Sequence, residues 1–196
     1  MWLSVLLYTG EVNRVIEAIH YAEKNGAQIC NMSLSFQNYN QEMEKVMRES
    51  KMLFVVSAGN QAMRGLNIDF IPSYPASYNL PNMIVVANLS YDGKLNAQSN
   101  FGSKSVDVSA PGTCIYSTDV NGSYGYLTGT SMAAPIVSGI AALVYLVTEN
   151  PNAEKVKDII CKSVDEKGNL IAKTVSGGIV DGKAAVEKAF QYNLLA

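Results

Sequence analysis

The chain has 196 residues, 48% of them hydrophobic and 16% charged, which is enough for one globular domain, or a large part of one, with an ample core. Lys and Arg number 15 against 17 Asp and Glu, a formal net charge of -2 with the basic residues scattered, so the electrostatic footprint of a nucleic-acid or anionic-membrane partner is missing. The longest apolar runs, such as Ile136 to Val147, fall short of the roughly 20 residues that span a bilayer, and no membrane is expected as a partner.

Met1 to Tyr8 reads as a buried strand. It has no positive n-region, its apolar stretch is short, and no small-residue cleavage site precedes Glu11, so it does not read as a signal peptide. Val12, Val15, Ile16 and Ile19 then recur at helical spacing, with Thr9 as cap and Gly26 as stop. Ala27 to Leu34 reads as a second buried strand, Met43, Val46 and Met47 mark a second helix, and Met52 to Val56 is another apolar strand. Alternating helices and near-continuous apolar strands predict an α/β fold: a mostly parallel sheet with helices on both faces.

Gly59 to Pro81 has neither period and carries Pro72, Pro75 and Pro81; long loops in compact domains are usually functional. Met83 to Leu89 predicts a strand, Asp92-Gly93 a turn, and Val106-Asp107-Val108 a short strand ended by Ala110-Pro111-Gly112. Beyond Thr130 a helix that is apolar almost all round runs to Asn150-Pro151, which predicts burial on every side. A more polar helix follows with Val156, Ile159 and Ile160, and a last one covers Lys183 to Phe190 after Gly177-Gly178. Cys30, Cys114 and Cys161 are odd in number and lack metal-ligand spacing, so they read as free thiols.

Gly129-Thr130-Ser131-Met132-Ala133-Ala134-Pro135 puts a serine hydroxyl where a Gly-rich turn meets the apolar helix. Unpaired N–H groups and the positive end of the helix dipole lie there, able to stabilise charge on a carbonyl oxygen under attack. Helix physics alone favours a plainer role, a serine N-cap. A phosphate loop is excluded, because Gly125 to Ser131 lacks the lysine and the spacing.

The segment Gly129 to Pro135 resembles the nucleophile motif of the subtilisin-like serine proteases (subtilases, peptidase family S8). Asn31-Met32-Ser33-Leu34-Ser35 resembles the family's substrate-binding strand, Ser57-Ala58-Gly59-Asn60 its oxyanion-hole segment, and Asn100 to Gly102 with Val106 to Gly112 the stretch leading to its serine. The resemblance implies that Ser131 is the acylated nucleophile and that the Asn60 amide joins the Ser131 N–H in the oxyanion hole. It further implies that Ser33, Leu34 and Ser35 pair with a polypeptide substrate as an added strand. Ala58, Gly59, Tyr74, Pro75, Ala76 and Thr130 belong by the same resemblance to the substrate-binding region. Ser35 stands where the family usually has glycine, which puts substrate preference in question.

Serine needs a base oriented by a carboxylate. The family's Asp-Ser/Thr-Gly and His-Gly-Thr motifs do not occur in this sequence, and its one histidine, His20, lies mid-helix in Ala18 to Ala22. Both motifs belong upstream of Met1, so residues 1–196 read as a partial subtilase catalytic domain carrying the Ser and oxyanion-hole segments. By itself the chain is expected to be inactive, since loss of the triad histidine costs ~10⁶ in kcat in subtilisin; its partner would be the missing N-terminal part of the domain. The alternative is a non-catalytic peptide-binding remnant or half-domain. No cofactor is required and no metal ligand set is expected; calcium enters by the resemblance alone, through backbone carbonyls near Tyr74 to Ala76. The family is mostly secreted, and with no leader in the sequence the compartment stays open.

Overall fold

The computed structural model describes residues 11–61 and 63–194; the strand expected at residues 1–8 and the Thr9 cap lie outside them. Helix α1 (Val12–Lys24) starts after Glu11, whose side chain makes no capping bond, and buries Val15, Ile16, Ile19 and Ala22. The chain then turns at Gly26, whose φ of +75° suits glycine. Strand β1 (Ile29–Met32) is shorter than the expected run 27–34 and only half-buried over Ile29 to Asn31. Among the described strands it lies at the sheet's edge, with a described neighbour on one flank alone.

Helix α2 (Gln41–Glu49) is capped by Asn40, whose side chain accepts from the Met43 N–H at 2.8 Å. Strands β2 (Leu53–Ser57) and β3 (Met83–Leu89) are buried throughout, as their apolar runs predict. Strand β4 (Val108–Pro111) begins two residues later than the expected 106–108 and runs through Ala110 and Pro111 instead of ending before them. Asp107 explains the shift: its N–H donates to the Val85 carbonyl and its Oδ2 accepts the Val85 N–H at 2.8 Å, so one residue closes the lower end of the pairing before the strand starts.

The hairpin β5 (Ile115–Thr118) and β6 (Tyr124–Leu127) was not anticipated. Tyr116 and Thr118 do alternate against Tyr124 and Tyr126, but Ser, Thr, Gly and Asn around them read as loop. Helices α3 (Thr130–Val147), α4 (Ala153–Cys161) and α5 (Gly182–Leu194) complete the chain with the short strands β7 (Asp165–Glu166) and β8 (Gly178–Ile179). The main sheet runs β1-β2-β3-β4-β8-β7, with parallel pairing from β1 to β8 and β7 antiparallel to β8.

Strand alternation sends β2 and β3 side chains to two layers. Phe54, Val56, Met83, Val85 and Ala87 join α1 and α2 on one face. Leu53, Val55, Ile84 and Val86 join α3, α4 and α5 on the other. Helix α3 contacts all four of β1 to β4, and α4 and α5 besides. It is long and apolar enough to cross a membrane by length and composition, yet these contacts account for one side of that hydrophobicity. The other side corrects the expectation of burial all round: Leu143 is 51% and Leu146 81% exposed.

Candidate active site

Parallel pairing brings the carboxyl ends of β1 and β2 to one rim, the usual place for a site in an open α/β sheet. Ser33 to Ser35 leave β1 there, and Ala58 to Asn60 leave β2. The N-terminus of α3 meets both. The serine-cap reading of Ser131 does not hold: Gly129 is the N-cap, without a side-chain bond, and Ser131 is the second residue of the helix. Its N–H therefore belongs to the first turn, where no helical carbonyl is available to it.

Thr130 ties the rim together. It is fully buried; its hydroxyl accepts the Gly59 N–H at 3.1 Å, and its own N–H donates to Asn60 Oδ1 at 3.0 Å. That second bond fixes the Asn60 amide, because only the oxygen can face an N–H donor. Asn60 Nδ2 is thereby left on the side of Gly129, where a Cβ would come within 3.2 Å of it. Gly59 is equally constrained: its φ is +98°, and a Cβ would meet Asn100 Nδ2 at 2.7 Å.

Asn100 holds the segment from Ala58 to Gln61 from below. Its Nδ2 donates to the Ala58 carbonyl at 2.9 Å and to Gln61 Oε1 at 2.6 Å, and its N–H donates to the Gly59 carbonyl at 2.9 Å. Gln61 passes the link on to Ser73 Oγ at 3.2 Å. Sequence reasoning named the Asn100 segment without seeing this support, and it missed Gln61; a polar residue directly after Asn60 was the available signal.

Ser33 and Ser131 are joined twice. The Ser33 hydroxyl donates to the Ser131 carbonyl at 2.8 Å, and Ser131 Oγ lies 3.5 Å from the Ser33 carbonyl. Leu34 is half-buried and Ser35 exposed. Phe36 pairs with Tyr74 through two backbone bonds, which brings the Tyr74-Pro75-Ala76 segment beside the strand exit. Tyr74 is half-buried, whereas Ala58, Pro75 and Ala76 are buried. A cavity of about 180 Å³ opens beside Ser131, bounded by Met132, Pro135 and, from the hairpin, Ile115, Asp119 and Leu127. The unanticipated hairpin hid it from sequence reasoning.

His20 is exposed on α1, in the layer opposite α3. It is not part of the rim. Among the described residues no group of three or more His, Cys, Asp or Glu could hold a metal. At the segment near Tyr74, the Tyr74 carbonyl accepts the Phe36 N–H and the Pro75 carbonyl the Tyr78 N–H, which engages one lone pair of each.

The family model described as "Subtilase family" matches residues 9–182. The chain belongs to the subtilase family. It is 34% identical over 182 residues to subtilisin-like protease 2 of Plasmodium falciparum (isolate 3D7), covering 87% of this chain and 13% of that protein. It is also 34% identical over 197 residues to the major intracellular serine protease of Bacillus subtilis (strain 168), covering 95% of this chain and 60% of that one. Among solved structures, the subtilase chain superposes on a protease of Pseudoalteromonas arctica PAMC 21717 with a TM-score of 0.78 at 28% identity, over 92% of this chain and 59% of the other. The prenylagaramide maturation protease PagA gives 0.78 at 27%, over 95% and 70%. The subtilase fold expected from the residues is thus the fold found, in a chain that spans under two thirds of these curated relatives.

Proposed function

We propose that this chain carries the nucleophile half of a serine endopeptidase, with Ser131 the acylated residue. The supporting observation is the fixed pair of donors at the rim: Thr130 orients the Asn60 amide with Nδ2 on the Gly129 side, and the Ser131 N–H belongs to the first turn of α3. Two preorganised neutral donors can take up negative charge on a carbonyl oxygen attacked by Ser131 Oγ, and the helix dipole adds to them. Ser33 to Ser35 would pair with the extended polypeptide, and Ala58, Gly59 and Tyr74 to Ala76 would border the side chain before the scissile bond.

The base and its carboxylate come from outside these 196 residues in this reading. His20 faces solvent on the other layer, and Ser131 Oγ has a carbonyl as neighbour where a base is needed. The test is a fluorophosphonate probe on the product of the full natural reading frame, with the adduct mapped by mass spectrometry. We expect label on the peptide holding Ser131 and none in Ser131→Ala. A folded full-length product that takes no label at Ser131 would sink the proposal.

The remoteness of His20 favours one second reading, a chain that captures peptides without cleaving them. Calorimetry with extended peptides distinguishes it, since binding by this chain with no turnover in any context supports capture.

A further inference from the structure

We infer that Asn31 and Ser138 are positioning residues for Ser131, acting through a one-way hydrogen-bond relay that ends on its carbonyl. The inference rests on Ser131 being the nucleophile, but the relay itself can be tested apart from that.

The relay starts with a vacancy in the helix ladder. Pro135 lies four residues after Ser131 in α3, and proline has no N–H, so the Ser131 carbonyl has no i+4 donor. The Ser33 hydroxyl takes that place at 2.8 Å. A hydroxyl has one proton to give. Having given it to Ser131, Ser33 Oγ acts as acceptor toward Asn31, whose Nδ2 lies 2.9 Å away. This sets the Asn31 amide, leaving Oδ1 to accept from the Ser138 hydroxyl at 3.0 Å. Ser138 has a second acceptor, the Ala134 carbonyl at 3.2 Å; the shorter contact goes to Asn31.

Two periodicities make the relay fit. Asn31 lies on β1 and Ser33 is the first residue past its end, two apart, which in extended chain puts both side chains on the face that Ile29 turns to the α3 layer. Ser131 and Ser138 are seven apart on the helix, hence on one side. Ser138 is fully buried and Asn31 half-buried, so water competes little at the far end.

The effect is to pin the peptide plane after Ser131. With its carbonyl unheld, the first turn of α3 would fray, and the Ser131 N–H and Oγ would drift together. The experiment uses the 196-residue chain and its Asn31→Asp and Ser138→Ala variants. Asn31→Asp keeps an acceptor for Ser138 but removes the donor to Ser33, while Ser138→Ala leaves Asn31 Oδ1 unpaired. The Ser131 carbonyl ¹³C shift is read by NMR, and in the full-length product the rate of phosphonylation at Ser131 is read as well.

We expect Asn31→Asp to move the carbonyl resonance in the direction of a weaker hydrogen bond, with a smaller move in Ser138→Ala. Labelling should slow about fivefold in Asn31→Asp, as for loss of one ordinary hydrogen bond. The double variant Asn31→Asp/Ser33→Ala should label no more slowly than Ser33→Ala, since both cut one chain. A Ser131 carbonyl shift unchanged in both single variants overturns the relay, whatever the labelling shows. Absence of label in the wild type is a separate result, which tells against the nucleophile and leaves the carbonyl shift to decide the relay.

Discussion

At the scale of single residues, Asn60 separates orientation from charge. Its oxygen serves the Thr130 N–H and its nitrogen is turned to the Gly129 side, so Asn60→Asp keeps the structural bond and deletes the donor. The expected result is an unchanged fold with phosphonylation of Ser131 in the full-length product slowed by about 10²–10³, the cost measured for the corresponding kind of donor in subtilisin. Circular dichroism checks the first half and probe kinetics the second. The thiols make a contrasting case. Burial pushes Cys30 up to about 11 and Cys161 up to about 12, the latter also under the nearby Asp107 carboxylate, so neither presents a thiolate at neutral pH. Cys114 is exposed at the foot of the hairpin. Iodoacetamide at pH 8 should modify Cys114 in the folded protein, with Cys30 and Cys161 following only in denaturant; mass mapping over time reads the order.

At the scale of elements, the site is a junction of two strand exits and one helix start, and Gly129 sets how closely they meet. A Cβ there would stand 3.2 Å from Asn60 Nδ2 and 3.7 Å from its Cγ, so Gly129→Ala should push the amide aside by a few tenths of an ångström. The predicted loss in labelling rate is well below the ~10²-fold that a displacement of 1 Å brings, and below that of Asn60→Asp. Much of this junction was legible beforehand. Continuous apolar runs gave β2 and β3, and the glycines and small residues around Ser131 marked a close approach. What stayed hidden was whatever depends on a partner distant in sequence. The role of Asn100 needs Ala58 and Gln61 beside it; the hairpin, though local, is masked by turn-forming residues, and the cap reading of Ser131 failed because Gly129 takes the N-cap position two residues before it. That β1 lies at the edge among the described strands is a matter of sheet order, on which its apolar sequence is silent.

At the scale of the whole molecule, the two helical layers are joined through the sheet, and one ion pair lies where the second layer closes on it. Asp107 precedes β4; its Oδ1 is 2.9 Å from Lys157 Nζ on α4, while Oδ2 holds the Val85 N–H of β3. The carboxyl is buried, and burial raises its pKa above the ordinary range despite the pull of Lys157 and the Val85 bond. The sign of the pH effect follows from that direction. A carboxyl that binds its proton more tightly when folded adds stability below its unfolded pKa, near 3.9, and loses that contribution as pH rises through its higher folded value. Asp107→Asn has no charge to bury and lacks this dependence. The urea midpoint of the wild type minus that of Asp107→Asn should therefore fall as pH is raised from about 3.9 through the acid range. A difference that rises over that range would mean that Lys157 outweighs burial, and that the pair holds α4 to the sheet as a favourable ion pair.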